Sequence, residues 1–189
     1  MKKIILSVLM ASAVIFTGCG TEPKPTEVVS GECIVEGLEA PTWVCGNTPD
    51  GVSEQYSDVG IAPMSVAGLG FTRKEALANA RGNLAHQIKV DIKDKVETFI
   101  QSTGIGANEV ADKVSTQVSK QVTRMVLTGS SQKAFWQTPN NIYVLVVTNK
   151  SEINSLVKDK VSTSFKNDDA LWQQYKAKNA QEALEKEFQ

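Results

Sequence analysis

Three cysteines, Cys19, Cys33 and Cys45, are the residues whose types and spacing state a chemistry first. Cys19 stands behind Phe16-Thr17-Gly18. Cleavage before it would leave its sulfur placed for a thioether and its amine for an amide-linked fatty chain. With that thiol consumed, Cys33 and Cys45 remain as an even pair, which an oxidising envelope compartment closes into a disulfide. So short a loop stabilises by about 3 kcal/mol in the chain-entropy model. The alternatives are a metal pair, for which the chain offers no other soft ligands, and a redox couple, which ordinarily uses Cys-x-x-Cys spacing.

The remaining constellations carry less. His86 is the single histidine, so a histidine-built metal site is impossible. It falls about 200° around a helix from Leu84, on the polar side, with no cysteine or serine partner at a recognisable spacing. Arg81 lies within a turn of Leu77 and Leu84 and supports the helix surface; holding a phosphate or carboxylate is its alternative role. Gly68-Leu69-Gly70 lacks the third glycine of a dinucleotide fingerprint and the Gly-Lys-Ser/Thr of a P-loop, and reads as a turn. Asp91, Asp94 and Glu97 form the charged face of an amphipathic helix. Neither Gly-x-Ser-x-Gly nor His-Glu-x-x-His occurs. The expectation is a non-enzymatic chain with no catalytic residue, no metal site and no cofactor.

The N-terminus supplies an address. Lys2 and Lys3 precede an uncharged run from Ile4 to Phe16, the pattern of a secretory signal, and that run is too short to span a bilayer. Phe16-Thr17-Gly18-Cys19 resembles a bacterial lipobox, with Phe where Leu is more usual; the alternative is an ordinary cleaved signal followed by a chance cysteine. Several acyl chains at about 0.8 kcal/mol per methylene make such an anchor effectively permanent. Gly20, rather than Asp, follows the cysteine, which by resemblance to lipoprotein sorting signals favours the outer membrane. Removing residues 1–18 takes away Lys2 and Lys3 and no acid, moving the net charge from −1 to −3. A nucleic-acid partner is not expected of so acidic a body.

These residues must be positioned by a modest body of 189 residues, 41% hydrophobic and 22% charged, room for one compact unit with termini. Residues 20–31, with Pro23 and Pro25, read as an extended spacer. Tyr56 to Leu69 reads as a strand that is bulged or at an edge, given Gly60, Pro63 and Gly68. Thr72-Arg73-Lys74-Glu75 matches a capping box ahead of a long helix with Leu77, Ala80, Leu84, Ile88, Ile92, Val96 and Phe99 on one face. Gly104 and Gly106 end it, and Asn108 can cap a second helix whose four-spaced valines, Val110 to Val126, drift around its axis. Leu127 to Gln137 and Ile142 to Thr148, joined by Pro139-Asn140-Asn141, read as a hairpin. A helix starts at Ser151, and Asp168 caps a charged C-terminal helix with an incomplete apolar stripe. The expected divisions are 1–18 signal, 19–32 lipidated cysteine and tether, 33–165 an α+β domain, and 166–189 the C-terminal helix.

Four blocks in this order resemble the LPP-20 family of small outer-membrane lipoproteins. They are Ala40-Pro41-Thr42-Trp43-Val44, Val59-Gly60-Ile61-Ala62, Glu75 to Ala85, and Ile142-Tyr143-Val144-Leu145-Val146. That family includes the flagellar lipoprotein FlgP and is similar to the N-terminal domain of the flagellar protein FlgT. The resemblance covers about residues 40–160. It implies a small curved three-stranded sheet packed on a long helix, comparable to dodecin, and it carries over no catalytic residue. The cysteine pair is not part of the pattern. Expected partners are the membrane through the lipid anchor, further copies of the chain, and envelope or flagellar proteins. A small ligand on the concave side of the sheet is the alternative.

Overall fold

The computed structural model describes residues 32–46, 49, 51–106 and 108–188. The signal segment 1–18, Cys19 and the spacer 20–31 lie outside them, as does the side chain of Asn108. Glu32–Gln189 form one compact unit. Its elements are β1 (Ile34–Val35), β2 (Leu38–Glu39), a 3-10 turn at Thr42–Cys45, β3 (Gln55–Pro63), α1 (Leu69–Thr103) and α2 (Asn108–Gly129), followed by β4 (Ser131–Gln137), β5 (Asn141–Asn149), α3 (Lys150–Lys166), α4 (Asp169–Ala177) and α5 (Ala180–Glu187). The class is α+β, a three-stranded antiparallel sheet in the order β3-β5-β4 on a long helix.

β5 is the central strand and is buried on both faces, which is why its sequence is a nearly continuous apolar run. Ile142, Val144 and Val146 join the core shared with α1, while Tyr143, Leu145 and Val147 join a second core with Trp43 and Val52. β3 is an edge strand, as its glycine and proline imply, and it pairs with β5 from Gln55↔Asn149 to Pro63↔Asn141 without a bulge. The bulge lies in β4, between Gln132 and Ala134.

Helix α1 starts one turn earlier than the capping box predicts. Gly68, at φ 93°, occupies the cap in a conformation that L side chains rarely adopt, and Thr72 is therefore inside the first turn and buried. Its hydroxyl accepts from Ser65 N (3.0 Å) and donates to Gly68 O (3.3 Å), while Glu75 faces solvent. From Thr72 the buried row steps mainly by four through Ala76, Ala80, Leu84, Ile88, Ile92 and Val96. Each step of four drifts about 40°. The row therefore winds from the sheet near Ala76 and Ala80 to the helical end, where the Phe99 ring meets Phe165 (5.9 Å) and Tyr175 (6.4 Å).

The valines of α2 drift in the same way, yet Val114, Val118, Val122 and Val126 are all buried, because both α1 and α3 pack on this helix. Leu127 to Gly129 belong to α2 rather than to a strand; burial of Val126 carries the helix past the point where composition turns β-like. Asn149 caps α3 by accepting from Ser151 N and Glu152 N. Asp168 caps α4 as expected, through Leu171 N at 3.1 Å. The C-terminal stripe is incomplete because the segment is two helices, broken at Asn179 (φ 48°), and Tyr175, Ala180, Leu184 and Phe188 each reach the main core.

Candidate functional site

Cys33 and Cys45 are joined, with Cα atoms 5.9 Å apart. The bond clamps the β1–β2 hairpin and the 3-10 turn into a lid over the outer face of the sheet. Trp43, the expected packing anchor, lies at 8% exposure against Tyr143, Leu145 and Val147, with Val52 beside it. Ala40 N donates to Cys33 O (2.7 Å), and the Glu36 carboxylate at the hairpin turn accepts from the side-chain amides of Asn140 and Asn141. The Asn141 amide holds the Glu36 carboxyl below its ordinary range. The outer face of the sheet, the one turned away from α1, is therefore covered by the chain's own segment.

A groove of about 460 Å³ remains at the margin of this lid, lined among others by Trp43, Pro49, Gln55, Tyr56 and Lys150. Tyr56 donates its hydroxyl to the Asp91 carboxylate, whose same oxygen lies 3.3 Å from Lys95 Nζ. Burial, reinforced by that hydrogen bond and by the charge of Asp91, pushes the Tyr56 phenol well above its ordinary range. Lys150 Nζ sits 5.8 Å from the Tyr56 ring centroid. Gln55 Oε1 is buried without a hydrogen-bond partner among the described residues. A phenol pinned to a carboxylate keeps its proton.

Beyond the cysteine pair, His86, Arg81 and the Gly68–Gly70 turn do not converge on one site. His86 is exposed on α1. Arg81 donates from Nε to Ser130 Oγ (3.2 Å) and from Nη2 to Ser130 O (3.3 Å), tying α1 to the loop that leaves α2. Gly68 and Gly70 form the turn into α1. Lys93 and Glu97 pair along the helix at 3.5 Å, an ordinary solvated i,i+4 contact.

Two roles escaped sequence reading. Asn79 and Asn83 donate their amides to Ile61 O (2.9 Å) and Val59 O (3.0 Å), so the outer carbonyls of edge strand β3 are satisfied from α1. Their spacing of four was a readable signal that both share one helix face. Gly60 lets that helix approach: a Cβ there would lie 2.0 Å from Ala76 O and 2.2 Å from Ala80 N. The blocks around Gly60 and Ala76 to Asn83 thus record a helix–strand contact. Among the described residues, no group of three or more histidine, cysteine or acidic side chains is placed to hold a metal ion.

Comparison with curated proteins yields no match. The sequence profile of the LPP20 lipoprotein family matches residues 41–150, the stretch that runs from the Trp43 anchor through both long helices to the end of β5, and this chain belongs to that family.

Proposed function

We propose that the protein is a non-enzymatic lipoprotein of the cell envelope, attached to the outer membrane by acyl chains on Cys19 and acting through contacts with other proteins. Those contacts are self-assembly or association with a flagellar structure. Family membership carries the reading, because it joins the lipobox-like Phe16-Thr17-Gly18-Cys19 to a body of lipoprotein type. The polar side chains support it: Asn79, Asn83 and Arg81 are spent on backbone carbonyls. Among the described residues no helix is long and apolar enough to cross a membrane, and the proposal assigns attachment to Cys19.

Mass spectrometry of native protein tests the anchor: the expected N-terminal peptide starts at an acylated Cys19. A free thiol there, or a Cys19→Ser chain that still fractionates with membranes, overturns it. Crosslinking in cells, sedimentation of the mature chain and motility of a deletion strain test the contacts. A strict monomer without envelope crosslinks and with unchanged motility defeats that half of the proposal. The groove beside Tyr56 and the unpartnered Gln55 Oε1 favour a second reading, a small-ligand module. Protein recovered from native membranes with no co-purifying small molecule counts against it.

A further inference from the structure

The turn between β3 and α1 exposes Met64, Val66, Leu69 and Phe71, four large apolar side chains within eight positions, with Phe71 at 55% exposure. Between Asp58 and Glu75 the only charged residues are Arg73 and Lys74. The turn is nevertheless well bonded. Met64 N donates to Asn140 O (2.7 Å), Ser65 N to Thr72 Oγ1 (3.0 Å), Ala67 N to Ser65 Oγ (3.1 Å) and Gly68 N to Ser65 O (3.0 Å). With these amides already paired, the segment can leave water without orphaning them.

A second apolar element meets it at the β4–β5 turn. Asn140, which accepts from Met64 N, also donates to Glu36 Oε2 (3.0 Å) at the tip of the β1–β2 hairpin, and that hairpin exposes Ile34 and Leu38. The described chain begins at Glu32, directly before this hairpin and thirteen residues after Cys19. Thirteen residues reach at most about 47 Å when fully extended.

We infer that this end of the molecule, the Met64–Phe71 turn with Ile34 and Leu38, rests in the headgroup–acyl boundary of the bilayer that holds Cys19, with Arg73 and Lys74 at phosphate level. The inference builds on the lipid-anchored reading and adds an orientation. A short leash brings the domain to the surface, and the end next to it presents the acid-free Met64–Phe71 turn, the Glu36 carboxylate of the hairpin being paired with the side-chain amides of Asn140 and Asn141. A second copy is the poorer occupant, since a two-fold contact through this turn sets Arg73 and Lys74 against their own counterparts.

The test separates orientation from anchoring by taking residues 19–189 produced without acylation, in which Cys33 and Cys45 are paired, and coupling the Cys19 thiol to a maleimide phospholipid in vesicles of phosphatidylethanolamine and phosphatidylglycerol with brominated acyl chains. Two probes are compared: Phe71→Trp and Val90→Trp. Val90 is also exposed, on the same helix about 29 Å further along. Bromine is expected to remove about half of the added Phe71→Trp emission, as for a side chain buried in the interface, and to leave Val90→Trp unchanged. Equal response of both probes, or none at either, overturns the inference. So does a blue-shifted Phe71→Trp that bromine does not quench and that travels with a dimer in sedimentation, because a second copy then covers the turn. Native mass spectrometry of Cys19 judges the anchor independently.

Discussion

Single atoms set the tightest constraints. Gly60 faces the backbone of Ala76 and Ala80 at distances that leave no room for a methyl group. Gly60→Ala should lower stability by about 1–3 kcal/mol through forced separation of β3 and α1. Urea unfolding measures this, and an unshifted midpoint would mean the strand and helix are not in that contact. Tyr56 carries a pH signature. Its folded-state phenol titrates above the unfolded value, so its contribution is complete below about pH 10 and is lost as pH rises from there. Tyr56→Phe should cost about 1 kcal/mol at neutral pH and flatten the alkaline limb of the stability curve. Burial also raises Tyr143 and Tyr175, so the informative quantity is the difference between the two curves. Parallel alkaline limbs would show that Tyr56 does not couple to folding.

Edge protection belongs to the scale of elements. β3 would present a row of outward carbonyls, and α1 covers two of them with Asn79 and Asn83. The double substitution Asn79→Ala with Asn83→Ala should cost about 1 kcal/mol per lost bond. It should also increase strand-mediated self-association, read by light scattering of the mature chain. Unchanged scattering and stability would mean those carbonyls are served equally well by water. The lid is a second element-scale device. Cys33→Ala with Cys45→Ala should lower stability by about 3 kcal/mol. It should shift the emission of Trp43 to the red while leaving the helical circular dichroism in place, since Trp43 lies on the outer face of the sheet, away from the helices.

Across the whole molecule, the C-terminal helices decide whether the long hairpin of α1 and α2 is closed. Lys178 Nζ donates to Thr103 O (2.9 Å) and Gly104 O (2.6 Å), and Gly106 N donates to Gln174 Oε1 (3.2 Å). Above this clamp, Phe99, Phe165 and Tyr175 form one aromatic cluster, with Leu184 and Phe188 in the same core. Truncation after Lys178 removes Ala180, Leu184 and Phe188 from that core. The expected loss exceeds about 4 kcal/mol, by the cost of deleting one buried leucine and one buried phenylalanine. Thermal unfolding of the truncated mature chain measures it, and an unchanged transition would make α5 an appendage.

The sequence by itself determined the α+β class, the long helix and the apolar strand that follows Asn140-Asn141, and it made Cys33 and Cys45 the expected disulfide pair. Periodicity and composition report how each segment is buried, and that is a local property. Tertiary structure decided what spacing cannot carry. The capping-box threonine became a buried first-turn residue because Gly68 starts the helix earlier. Arg81, which offered a phosphate site as its alternative, went to Ser130, 49 positions away, and the amides that close the edge of β3 reach 18 and 24 positions back. Such contacts are set by which backbone groups the fold leaves unpaired, and a donor is assigned to them only when the strand and helix are already side by side.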